Sequence, residues 1–129
     1  MERPELLVPA GNLEKLRTAI LYGADAAYVG VEGLSLRAKQ AEFSIADLEQ
    51  GIREAHQQKV KVYAALNIFA QNQDLNIVKE KVGVLSEIGV DGVILSDPGI
   101  LRLVRKIKPE LPVHLSTQAN TTNSEAVRF

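Results

Sequence analysis

Hydrogen-bonding side chains gather at a few points of this sequence, most of them just after a short apolar run. The densest is Ser116-Thr117-Gln118-Ala119-Asn120-Thr121-Thr122-Asn123, whose amides and hydroxyls can hold a polar ligand or simply face water in a loop. Asn67 follows the run Val60 to Leu66, and Asp97 follows Gly92 to Leu95. Arg37 lies between Leu36 and Ala38 in a longer excursion. A guanidinium there can pair with a substrate carboxylate or phosphate, or stand as an ordinary surface charge. Arg37, Asn67, Asp97, Gln118 and Asn120 are therefore the candidate substrate-binding set, and no catalytic residue is assigned. Asp97 before Pro98 also reads as a helix N-cap, as does Asn12, because such a side chain accepts an orphan backbone N–H. Ser44, Asp74 and Thr122 read as caps alone.

Several chemistries are missing. With no cysteine, the 129 residues offer no disulfide, thiolate zinc site, iron–sulfur ligand or cysteine nucleophile. His56 and His114 are the two histidines. His56 falls at a helix end, where partial exposure is the default. His114 is mid-strand and reads as a hydrogen-bonded interior residue before it reads as a ligand. No H-E-x-x-H, G-x-S-x-G, G-x-G-x-x-G or G-x-x-x-x-G-K-[ST] pattern occurs. Arg102, Arg105, Lys106 and Lys108 form a basic cluster, but Leu101, Leu103, Val104 and Ile107 alternate with them. A solvated helix face explains that pattern better than an RNA contact does.

Bulk composition is ordinary for a globular chain, with 46% hydrophobic and 24% charged residues. The net charge of −1 gives no global field toward nucleic acid or an anionic membrane. The start, Met1-Glu2-Arg3-Pro4-Glu5, is charged, and no apolar run nears the roughly 20 residues that span a bilayer. A cytoplasmic protein without a membrane contact is expected.

The elements that must position the candidates alternate. Strands are predicted at Leu6 to Val8, Ala26 to Val29, Val60 to Leu66, Gly92 to Leu95 and Val113 to Ser116. Helices are predicted from Leu13 to Tyr22, from Ser44 to about Gln57, from Asp74 to near Ile88 and from Asp97 to about Ile107. One more, capped by Thr122, runs into Phe129. The segments Gly23-Ala24-Asp25-Ala26 and Gly89-Val90-Asp91-Gly92 repeat one another, each a helix stop, an aspartate and a buried strand. Strict alternation implies parallel strands with right-handed crossovers, in a single domain over 1–129.

Strand faces choose between a barrel and an open sheet. In an open doubly wound sheet both faces of a central strand meet helices and are apolar. Here Val60, Val62, Ala64 and Leu66 alternate with Lys61, Tyr63, Ala65 and Asn67, and Val113 and Leu115 alternate with His114, Ser116 and Gln118. One apolar and one mixed face predict an incomplete TIM-type (β/α) barrel of about five parallel strands and four full helices. Its active site would lie at the C-terminal strand ends.

Ordered blocks of the sequence resemble a known family. They are Pro4-Glu5-Leu6-Leu7-Val8-Pro9-Ala10-Gly11-Asn12, Gly23 to Gly30, Ser35-Leu36-Arg37-Ala38 with Phe43-Ser44, Lys61-Val62-Tyr63, Ser96-Asp97-Pro98-Gly99 and Leu115-Ser116-Thr117-Gln118-Ala119-Asn120. Together they are similar to the N-terminal region of the collagenase-like peptidase family "U thirty-two". That resemblance implies a barrel, and either collagenase-type proteolysis or hydroxylation of transfer RNA, ribosomal RNA or ubiquinone. For RNA it implies prephenate, and in several members an iron–sulfur cluster whose cysteines lie downstream of the matched region, so no cofactor ligand falls in this chain. Three expectations follow. The chain is the N-terminal part of such an enzyme and inactive alone; or it is a non-catalytic half-barrel subunit that self-associates or pairs with the C-terminal half of the barrel; or it is an unrelated small-molecule barrel enzyme.

Overall fold

Every strand pairing in the sheet is parallel, and the strands lie side by side in nearly the order of the chain. The structure is a computed structural model that describes residues 3–34 and 42–129. Its strands are β1 (Leu7–Ala10), β2 (Ala26–Val31), β3 (Glu42–Phe43), β4 (Lys61–Leu66), β5 (Gly92–Leu95) and β6 (Val113–Leu115). Its helices are α1 (Leu13–Leu21), α2 (Ile45–Gln57), α3 (Leu75–Glu87), α4 (Pro98–Ile107) and α5 (Ser124–Arg128). The spatial order is β1-β2-β4-β5-β6, and the two-residue β3 pairs beside the end of β2. Right-handed crossovers that always advance in one direction put all their helices on one face. A doubly wound sheet would instead reverse direction at a switch point. The described residues thus form the incomplete α/β barrel expected from the strand faces.

Strand parity separates the two faces. Val29, Val62, Ala64, Leu66, Val93 and Leu95 lie in the helix-covered core, against Leu16, Ile52, Val82 and Ile100 from the helices. Each valine, leucine or isoleucine among them contributes on the order of 1.5–3 kcal/mol by leaving water. The alternate residues face the concave side. In register across that side, Pro9 meets Tyr28, Tyr28 meets Tyr63, and Tyr63 meets Gly92. One layer further along, Gly30, Ala65, Ile94 and His114 align.

The internal repeat is a structural device. After α1, Gly23 turns at φ +86°, and after α3, Gly89 turns at φ +89°, a region that glycine enters at little cost. Two residues later each aspartate clasps the preceding strand. Asp25 Oδ2 accepts from Leu6 N–H at 2.8 Å while Asp25 N–H donates to Leu6 O. Asp91 Oδ2 accepts from Val62 N–H at 2.7 Å while Asp91 N–H donates to Val62 O.

Several local expectations need correction. β1 extends through Pro9 to Ala10; an edge strand tolerates proline because only one neighbour needs its hydrogen bonds. Asp74 does not cap α3 with its side chain; it sits in a 3₁₀ turn (Asn72–Asp74) and accepts from Gln71 N–H at 2.8 Å. The cap of α5 is Asn123, not Thr122, because Asn123 is the extended residue whose Oδ1 reaches Ala126 N–H at 2.9 Å. Asn12, Ser44 and Asp97 do cap their helices. β3 went unpredicted, being too short to show an alternation. Among the described residues no helix is long and apolar enough to cross a membrane.

Candidate functional site

Just past their last paired residues, β4, β5 and β6 deliver Asn67, Ser96 and Ser116 side by side at the C-terminal edge of the sheet. Below them the concave face opens into a cavity of about 490 Å³. Its floor and walls are Leu7, Tyr28, Ala65, Ile94 and His114, and its rim is Asn67, Leu115, Ser116, Thr117 and Gln118. The chain builds that rim locally. Ser116 caps a 3₁₀ turn (Thr117–Ala119) by accepting from Gln118 N–H at 3.3 Å. The turn carries Gln118 back over β5, where its Oε1 accepts a long 3.5 Å hydrogen bond from Ser96 Oγ. Asn120, left-handed at φ +53°, lines a shallower hollow of about 340 Å³ that shares Leu115, Ser116 and Thr117 with the cavity.

The candidate residues therefore divide. Asn67 and Gln118 meet at one cavity, and Asn120 lies at its margin. Asp97 is outside both linings; its Oδ1 accepts from Ile100 N–H at 2.7 Å at the head of α4. Arg37 lies outside the described residues. Tyr28 was missed, although Ala26, Tyr28 and Gly30 alternate with Ala27, Val29 and Val31 and so share the concave parity.

His114 departs from expectation. It is exposed rather than interior, because β6 has a neighbour on one side only among the described residues. Its ring packs on Tyr63 with centroids 4.6 Å apart. Behind Tyr63, at the N-terminal end of the strands, lies a network the sequence did not reveal. Tyr63 OH donates to Glu5 Oε1 at 2.9 Å, and Lys61 Nζ donates to Glu5 Oε2 at 3.0 Å. Desolvation pushes the Glu5 carboxyl up, but the bonds from Lys61 and Tyr63 outweigh it and hold its pKa below the usual carboxylate value. Burial and the Glu5 bond push the Tyr63 phenol up, and the Glu5 bond does the same for Lys61. His56 Nε2 lies 2.9 Å from Asp91 Oδ2, and Arg105 donates to the carbonyls of Pro109 and Leu111 beyond the end of α4.

Chemically, the cavity offers amides, hydroxyls and two rings, and among the described residues no lysine, arginine or carboxylate lines it. Among the described residues no group of three or more His, Cys, Asp or Glu can hold a metal ion. Iron–sulfur clusters are held chiefly by cysteine thiolates, and the chain has none. The residues present do not fit such a cluster.

Peptidase family U32 matches residues 11–129. The chain belongs to this family. Among its relatives, the tRNA hydroxylation protein P of Escherichia coli is 45% identical over 129 residues, which is all of this chain and 28% of that protein. A collagenase of Porphyromonas gingivalis is 34% identical over 126 residues, covering 97% of this chain and 30% of that protein. A solved U32 peptidase superposes with a TM-score of 0.75 at 17% identity, over 98% of this chain and 55% of that one; at that identity the likeness shows the fold. The U32 chain thus spans about 30% of the length of the curated relatives it matches.

Proposed function

We propose that this chain is the N-terminal part of a tRNA-hydroxylating protein of the U32 family, and that it supplies one wall of the substrate pocket. The observation that carries the reading is 45% identity to a tRNA hydroxylation protein along the whole chain. The site's chemistry agrees. A protease needs an activated nucleophile or a metal-bound water, and the described residues bring no such pair together. Amides and hydroxyls around an open hollow suit binding rather than bond cleavage. The collagenase among the relatives keeps proteolysis as the second reading.

On this proposal the chain works in the cytoplasm, and the C-terminal half of the barrel covers its concave face. Prephenate and an iron–sulfur cluster, implied by the family resemblance, belong to the whole protein, with the cluster held outside this chain. The test is to restore the full-length protein to cells that lack it and to examine their tRNA by mass spectrometry. A nucleoside gaining one oxygen is expected, with gelatin left intact by the purified protein. Gelatin cleavage with unchanged tRNA would overturn the reading.

A further inference from the structure

We propose that Tyr63 is a positioning residue: it leans across Gly92 and holds the imidazole of His114 at the cavity wall, where His114 contacts the substrate. That role goes beyond the choice between hydroxylation and proteolysis, since either substrate would meet the same wall.

The Tyr63–His114 contact is not one that an ordinary sheet makes. Tyr63 stands on β4 and His114 on β6, with β5 between them, roughly 10 Å apart at the usual strand spacing. In register Tyr63 pairs with Gly92, and His114 with Ile94 two residues further on. Yet the two rings pack with centroids 4.6 Å apart and planes tilted by 49°. Gly92 is what allows it. A Cβ there would sit 3.3 Å from Tyr63 Cδ1 and 3.0 Å from the Pro112 carbonyl oxygen, too close without displacing one of them. Its backbone is not left-handed, so conformation does not require glycine at this point. Space does. The first copy of the internal repeat has Ala26 in the corresponding place.

Tyr63 is fixed from behind. It is 4% exposed and lies outside the cavity lining, so it meets no ligand itself. Its hydroxyl donates to Glu5, which Lys61 holds from the other side. Burial first, and then the Glu5 bond, keep the phenol protonated and therefore a donor. A ring clamped at its hydroxyl end and packed between strands has little freedom, and its remaining surface supports His114.

His114 is the opposite case. It is exposed and lines the cavity beside Tyr28, Ile94 and the rim residues Ser116 and Gln118. Imidazole can donate from one nitrogen and accept at the other, so a fixed ring can meet either kind of group on a substrate. A loose histidine would have to be ordered when the substrate arrives, and packing on an immobile tyrosine removes that cost in advance.

The test uses the full-length protein, isotope-labelled at histidine, with the His114 signal identified by its loss in His114→Ala. The ring current of Tyr63 should displace that signal from the position of a free imidazole. The displacement should survive in Tyr63→Phe and vanish in Tyr63→Leu. Adding the substrate that the natural protein turns over, tRNA or gelatin, should move the signal. Turnover should fall at least fivefold in His114→Ala and in Tyr63→Leu, about the size of one lost hydrogen bond, and Tyr63→Phe should retain most of it. Circular dichroism checks the fold of each variant; a merely structural loss would lower the folded fraction without moving the His114 signal. A signal unmoved by Tyr63→Leu or by substrate, or full turnover in His114→Ala, would overturn the proposal. Action on gelatin and not on tRNA would remove the hydroxylation reading, and the same measurements on gelatin would then support or overturn the role of Tyr63.

Discussion

Glu54 on α2 takes a two-pronged grip from Arg17 on α1, with Nε and a terminal nitrogen each 2.7 Å from a carboxylate oxygen. Arg17 first, and then Gln50 at 3.0 Å, lower its pKa from 4.5 to about 2. A carboxylate with a depressed folded pKa stabilises the fold at pH values above its unfolded pKa, and that contribution fades as pH falls through the folded one. The α1–α2 contact should therefore weaken between about pH 4.5 and 2. Both side chains are substantially exposed, so the energy involved is small and salt-sensitive. Side-chain NMR titration checks this: Glu54 should titrate near 2 in the natural protein and return toward 4.5 in Arg17→Ala. An unmoved midpoint would remove Arg17 as the cause. At this scale Asn67 and Gln118 were legible in the sequence, because strand parity and position past a strand end place a side chain without knowledge of its neighbours. The Glu5–Tyr63–Lys61 network was not, since Glu5 precedes β1 and meets β4 across more than fifty intervening residues.

At the scale of elements, the aspartate clasps decide strand register. Asp91 satisfies the N–H of fully buried Val62 while also holding His56. Replacing it by alanine leaves that buried donor without an acceptor, a cost of about 1–3 kcal/mol. Urea unfolding of Asp91→Ala should show a lowered midpoint with the slope kept, and a midpoint equal to that of the natural protein would sink the clasp. The repeat of Gly23–Asp25 in Gly89–Asp91 was visible in the sequence, because glycine and aspartate serve local backbone needs there. The capping of α5 by Asn123 rather than Thr122 was not, because Thr122, Asn123 and Ser124 are all competent caps. Which one becomes extended depends on where the chain leaves β6.

Over the whole molecule, β1 and β6 each have one strand neighbour among the described residues, and the face between them is concave. Leu7 is exposed beside one edge, and Leu115, 60% exposed, on the other. Open edges and apolar surface of this kind invite pairing with another chain. Residues 1–129 prepared alone should therefore self-associate, and on the proposed reading co-expression with the C-terminal half of the barrel should suppress it. Light scattering after size exclusion is the measurement, and a stable monomer of the isolated segment would count against the half-barrel.

The sequence alone determined the alternation of strands and helices, the parity that divides the sheet into an apolar and a mixed face, most helix caps and the family. These properties are encoded within windows of a few residues, where period and cap chemistry act locally. Only the tertiary structure decided that Asn67 and Gln118 share a cavity while Asp97 is consumed as a cap. It alone showed that Tyr28 joins the cavity wall, and that Asn67 and Gln118 bring their amides to its rim. Those outcomes depend on which strands become neighbours and in what register, and parallel pairing across long crossovers leaves no local trace in the chain.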